Sequence, residues 1–116
     1  MTQITIYHNP RCSKSRQTLE LLQENNVNPE IILYLETPPA KAELKRLLGK
    51  LGMSARDLLR TSEDAYKTMG LADPKLSEER LLEAMHDEPK LIQRPIVVAG
   101  DKAVLGRPPE NALAIL

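Results

Sequence analysis

Two apolar strand patterns flank a single amphipathic helix in the first third of the chain, and that spacing narrows the possible folds more than any other feature. Ile4 and Ile6 alternate with Thr5 and Tyr7, so the run from Gln3 to His8 reads as a half-buried strand. From about Ser15 to Asn25, the residues Ser15, Leu19 and Leu22 share one helical face, with Leu21 beside it. The Asn25-Asn26 pair stops that helix. Ile31-Ile32-Leu33-Tyr34-Leu35 is a continuous apolar run, the pattern of a strand covered on both faces. Strand, helix and strand in so short a span make a βαβ unit, with parallel strands and a right-handed crossover.

The middle of the chain reads as helices. Thr37 before Pro38-Pro39 reads as a cap followed by first-turn proline. Leu44, Leu47, Leu48 and Leu51 form the apolar stripe of the helix that follows, and Gly52 ends it. Ser54 with Asp57, and Ser62 with Glu63 and Asp64, read as two further helix starts. Ser77-Glu78-Glu79 caps another, with Leu81, Leu82 and Met85 facing inward. Strand signals return at Pro95-Ile96-Val97-Val98-Ala99, where proline suits a strand's first position. Gly100-Asp101 fits a tight hairpin turn leading into Lys102-Ala103-Val104-Leu105. Pro108-Pro109 then starts a final helix, Glu110 to Leu116. The order is β-α-β, helices, β-β-α: one α/β domain over 1–116, with a helical segment inserted between two halves of a small mixed four-stranded sheet.

Composition removes several function classes. Lys plus Arg is 16 and Asp plus Glu is 16, so the chain lacks the basic excess of a broad nucleic-acid surface. Tyr7, Tyr34 and Tyr66 are too scattered for base stacking. No signal peptide and no membrane-length apolar run is read. His86, Asp87 and Glu88 lack ligand spacing with Cys12 or His8, so no metal is expected. A single cysteine cannot form an internal disulfide, which points to the cytoplasm.

That cysteine carries the chemistry. Cys12 lies in His8-Asn9-Pro10-Arg11-Cys12-Ser13-Lys14-Ser15-Arg16, between the first strand and the first helix. A thiol at a helix N-terminus meets unpaired N–H groups and the positive end of the dipole. Arg11, Lys14 and Arg16 add positive charge. Each favours thiolate, which predicts a pKa below the ~8.5 of an ordinary thiol. Lone intracellular cysteines are commonly small buried hydrophobes, but Arg, Ser, Lys, Ser and Arg are a poor address for a core residue. Any covalent intermediate on Cys12 needs a resolving thiol from another molecule.

The layout looks thioredoxin-like, and the chain resembles the arsenate reductase family that works with glutathione and glutaredoxin. The resemblance spans all 116 residues and rests on motifs in order. They are Ile6-Tyr7-His8-Asn9-Pro10 before Cys12, Ser15-Arg16, Ile32-Leu33-Tyr34-Leu35-Glu36, Asp57-Leu58-Leu59-Arg60, Arg94-Pro95-Ile96-Val97-Val98 and Gly106-Arg107-Pro108. It implies that Cys12 is the nucleophile and that Arg60, Arg94 and Arg107 bind the oxyanion. It also implies a cis Arg94-Pro95 bond. Guanidinium forks suit a tetrahedral oxyanion and stabilise charge as the As–S bond forms. Arg94 and Arg107 precede proline, which holds both in extended geometry on loops. The implied reaction has Cys12 attack arsenate with loss of water. Glutathione then attacks the adduct and glutaredoxin completes reduction to arsenite, with no bound cofactor.

Several residues keep two readings. His8 either lowers the Cys12 pKa, by charge or hydrogen bond, or packs at a strand end. Ser15 either donates to the thiolate or caps the helix. Lys14 and Arg16 either attract anionic glutathione or form a solvated turn. Where better-known relatives carry Gly-Thr after the cysteine, this chain has Ser13-Lys14, and those relatives extend beyond the position of Leu116. Two alternatives share the fold. One is a monothiol oxidoreductase acting on glutathionylated proteins, which a Cys-x-x-Ser arrangement permits. The other is a redox regulator that binds RNA polymerase; its usual second cysteine is here Ser15.

Overall fold

In the computed structural model, which describes residues 3–116, the chain forms two compact units. The first comprises residues up to Thr37 together with Arg94–Leu116; the second is Pro38–Gln93. The first unit holds a sheet of four strands: β1 (Ile4–His8), β2 (Glu30–Leu33), β3 (Ile96–Ala99) and β4 (Lys102–Leu105). Their spatial order is β2-β1-β3-β4. β1 and β2 are parallel, while β3 runs antiparallel to both β1 and β4. This is the mixed thioredoxin-like sheet expected, interrupted in sequence by the helical segment.

The crossover helix α1 (Ser13–Glu24) buries Ser15, Thr18 and Leu22. Ile6, Leu22, Val97 and Ala112 form the centre of this unit's core, with Ile4, Leu19, Val27, Val104 and Ile115 around them. Asn26, at φ 63, ends the helix by a left-handed turn, and the Val27 N–H closes on Leu22 O at 2.9 Å. Gly100 takes the positive φ of 61 that the two-residue hairpin turn to Lys102 requires.

Several boundaries differ from the sequence reading. β2 stops at Leu33 because the N–H groups of Glu36 and Thr37 both turn back to Leu33 O. It is also an edge strand, with Ile31 45% exposed, so it is not covered on both faces. The last segment, Pro109–Ile115, is 3-10 helix, closed by i to i+3 bonds such as Asn111 N–H to Pro108 O.

The second unit is helical: α2 (Lys41–Leu51), α3 (Ala55–Leu58), α4 (Asp64–Thr68), α5 (Glu78–Asp87) and a 3-10 turn, Pro89–Leu91. The N-cap of α2 is Ala40, not Thr37, because both residues that precede a proline are held extended. Glu63 rather than Ser62 flanks α4. Ser54 and Asp57 form a reciprocal capping box, and the Ser77 hydroxyl accepts from the Arg80 N–H, as read. Leu44, Leu58, Leu71, Leu82, Met85 and Leu91 are fully buried. Among the described residues no helix is long and apolar enough to cross a membrane.

Candidate active site

The loop between β1 and α1 is closed by its own hydrogen bonds. Asn9 O accepts the Cys12 N–H at 3.0 Å, a turn with proline at its second position. Asn9 Oδ1 accepts the Arg11 N–H at 3.0 Å. The Arg16 guanidinium donates to Pro10 O at 2.8 Å, and the Arg16 N–H to Cys12 O at 3.0 Å. Cys12 is therefore the N-cap residue itself, extended at φ −97 and ψ 123. The helix begins two residues earlier than the apolar periodicity indicated. The thiol makes no capping hydrogen bond and is half-buried. The first-turn N–H groups of α1 thus gain no partner from it.

Ser15 is not the helix cap. It sits buried at the third helical position, where its Oγ accepts the Asn9 N–H at 3.0 Å. The same Oγ shares a 2.6 Å hydrogen bond with His8 Nδ1. Burial, and then the nearby Arg16 guanidinium, hold the His8 imidazole below its ordinary range. That favours the neutral ring, and the contact the structure gives His8 toward this loop is its hydrogen bond to Ser15. Arg16 is exposed, as in the solvated turn considered for it, and its guanidinium bonds Pro10 O from there.

Register places the other unit-one candidates at the same end of the sheet. Tyr7 pairs with Ile96, Ile96 with Leu105, and His8 with Leu33. The end of β1, the start of β3 and the end of β4 therefore coincide, which brings Arg94 and Arg107 to the end that carries Cys12. The Arg94-Pro95 bond is cis, as the resemblance implied, and so is Arg107-Pro108. Arg94 is half-buried, and its Nε has no hydrogen-bond partner among the described residues. Arg107 is exposed.

Gly106 packs these segments together. Its N–H donates to Pro95 O at 2.9 Å, and its carbonyl lies 3.2 Å from the Thr18 hydroxyl. A Cβ at this position would stand 2.6 Å from Thr18 Oγ1 and 2.8 Å from Pro95 Cγ. Only glycine fits that approach without displacing one of them. Sequence reasoning missed Asn9 and Thr18 as contributors. The signals were present: Asn before Pro marks a turn, and Thr18 is a polar residue on the buried face of α1.

Arg60 belongs to the helical unit. Its N–H donates to Leu91 O at 2.7 Å, and its guanidinium pairs with Glu63. Among the described residues no group of three or more His, Cys, Asp or Glu side chains is arranged to hold a metal ion.

A thioredoxin-like sheet with one cysteine at the N-cap of its first helix, and arginines at the same sheet end, defines the class. Residues 7–115 match the ArsC family model, and the chain belongs to that family. It is 63% identical over 115 residues to the uncharacterized protein YfgD of Escherichia coli, covering 98% of this chain and 97% of that one. It is 50% identical over 117 residues to a protein of Neisseria meningitidis named arsenate reductase, covering 100% of both. Among solved structures, an arsenate reductase from Vibrio cholerae matches with a TM-score of 0.97 and 50% identity, covering 99% of this chain and 98% of that one.

Proposed function

We propose that this chain is an oxidoreductase that reduces arsenate to arsenite, using glutathione and glutaredoxin as thiol donors in the cytoplasm. The observation that carries the reading is the placement of Cys12, at the open N-terminus of α1, on the same sheet end as Arg94 and Arg107. Arsenate is an anion, so a thiolate attacking it brings negative charge to negative charge. Guanidiniums and free helix N–H groups offset that repulsion and hold the oxygens as the S–As bond forms. The unpartnered Arg94 Nε supports an anion there, since a buried donor without a partner is costly. Arg60 joins the proposal on the family resemblance alone.

The steps balance as follows. Cys12 Sγ bonds to arsenic and an arsenate oxygen leaves as water; no electrons have moved. Glutathione then attacks arsenic, releasing a second water. A glutaredoxin thiolate attacks the glutathione sulfur, and the S–As electron pair stays on arsenic, which becomes As(III). The two attacking sulfurs leave as a mixed disulfide, and water frees arsenite from Cys12. No second cysteine exists here to resolve the adduct, so external thiols fit the chain.

The test is NADPH consumption with arsenate, glutathione, glutaredoxin and glutathione reductase. Wild type turns over, Cys12→Ser does not, and Arg94→Lys or Arg107→Lys loses on the order of 10- to 100-fold in kcat/KM. Full activity in Cys12→Ser removes the scheme. No arsenate turnover, with Cys12-dependent removal of glutathione from protein disulfides, favours the monothiol oxidoreductase instead.

A further inference from the structure

The Cys12 loop has a second side. Arg94 and Arg107 come from β3 and the end of β4, whereas a cleft of about 250 Å³ opens on the β2 side. His8, Asn9, Pro10 and Arg11 line one wall, and Leu33, Leu35 and Glu36 the other. Since β1 lies between β2 and β3, the chain leading into Cys12 separates the arginines from the cleft. We infer that this cleft is the subsite of the thiol co-substrate, a small zwitterionic peptide thiol of the glutathione type. The inference rests on the reading of Cys12 given above.

Its chemistry fits such a molecule. Leu33 and Leu35 supply half-buried apolar surface, while Arg11 and Glu36 are exposed and opposite in sign. Among the described residues neither has an ion-pair partner. A γ-glutamyl peptide carries carboxylates for Arg11 and an ammonium for Glu36. An inorganic oxyanion suits the cleft poorly, because Glu36 repels it and no second cation lines the walls. The volume lies below the roughly 300–1,000 Å³ of most ligand pockets, so it takes part of a small peptide rather than a protein surface.

The wall is also built before anything binds. His8 and Asn9 are buried, and the turn is held by Ser15 Oγ, Asn9 Oδ1 and the Arg16 guanidinium. Little loop ordering is left for binding to oppose. The lining reaches Arg11, the residue before Cys12, so a thiol seated there is placed to meet the Cys12 adduct from the side away from the arginines. It loses its proton, bonds through sulfur to arsenic and displaces one arsenic oxygen as water, leaving the anion's contacts in place.

The experiment titrates S-methylglutathione, which cannot react, into nitrogen-15-labelled full chain, followed by amide chemical shifts. Shifts are expected at His8, Asn9, Arg11 and Leu33–Glu36. Arg11→Gln and Glu36→Gln each weaken binding about threefold or more. In the coupled assay the same variants raise KM for glutathione by a similar factor, and Glu36→Gln leaves KM for arsenate unchanged. Absence of shifts at millimolar ligand overturns the inference, as does binding confined to the Lys14, Gln17 and Glu110 groove, or unaltered affinity in both variants. The binding arm needs no arsenate. Cleft binding without arsenate turnover therefore keeps the subsite and removes arsenate as substrate, whereas arsenate turnover without cleft binding does the reverse.

Discussion

The two units bury different things. In the helical unit the buried side chains named among the described residues are Leu, Ile, Met and Ala. In the sheet unit four buried residues are polar, His8, Asn9, Ser15 and Thr18, and all four lie within six residues of Cys12. Burying polar groups is unfavourable unless each finds a partner, and here they partner one another or the adjoining backbone. The helical unit is held by apolar burial, which is strong and tolerant of shape. The sheet unit adds a directional network around one thiol, which fixes geometry more than it adds stability.

A matched pair of truncations tests that contrast. Leu82→Ala empties part of the helical core and is expected to cost about 2–5 kcal/mol of stability. At temperatures where it stays folded, its kcat should match wild type. Ser15→Ala removes the shared partner of His8 Nδ1 and the Asn9 N–H, and is expected to cost about 1–3 kcal/mol. Its loss of Cys12 alkylation rate and turnover should exceed that of the more destabilised Leu82→Ala. Denaturant melts and rates measured on both variants decide the matter. Equal loss of rate per unit of lost stability would erase the distinction between the units.

Gly106→Ala sharpens the comparison inside the sheet unit. The added methyl meets both Thr18 and the ring of Pro95, so the strand end must shift. Overpacking of this kind typically costs about 1–3 kcal/mol. The shift moves the residue next to Arg107, so KM for arsenate is expected to rise more than KM for glutathione. Pairing it with Thr18→Ser, which removes one of the crowding atoms, should restore part of the stability. A melt showing no recovery in the double variant would place the strain elsewhere.

What was legible in the sequence was local. The capping box of Ser54 and Asp57, the Leu44-Leu47-Leu48 stripe ended by Gly52, and the Gly100-Asp101 turn each lie within a few residues of their partners. The exposure of Ile31 was not legible, because an apolar run reads alike in a central and an edge strand and only strand order separates them. The place of Cys12 at the start of α1 could be read from its neighbours. The meeting of Arg94 and Arg107 at its end of the sheet could not, since it depends on pairing across some ninety residues of sequence. Proline after each arginine announced loop geometry but not location. The Thr18–Gly106 contact spans 88 residues and had no local trace beyond a polar residue on an apolar face.

The smallest expected effect concerns pH. His8 is held below its ordinary value of 6.5 by burial first and by Arg16 second, so the folded state prefers the neutral ring. Above pH 6.5 the ring is neutral in both states, and the contribution to stability is fully present. As pH falls through 6.5 the unfolded chain takes up the proton first, and stability declines until the folded ring also titrates. For one proton the slope is at most about 1.4 kcal/mol per pH unit. His8→Asn keeps a polar atom near the Nδ1 position for Ser15 but cannot titrate there. Melts at pH 7.5 and 5.5 should therefore show a larger acid loss in wild type than in His8→Asn. The same network orients the chain before Cys12, so the variant's turnover at pH 7.5 reports whether Ser15 needs the imidazole or only a hydrogen-bond partner. Near-normal turnover means that a partner suffices; a steep loss means that the ring itself positions the loop.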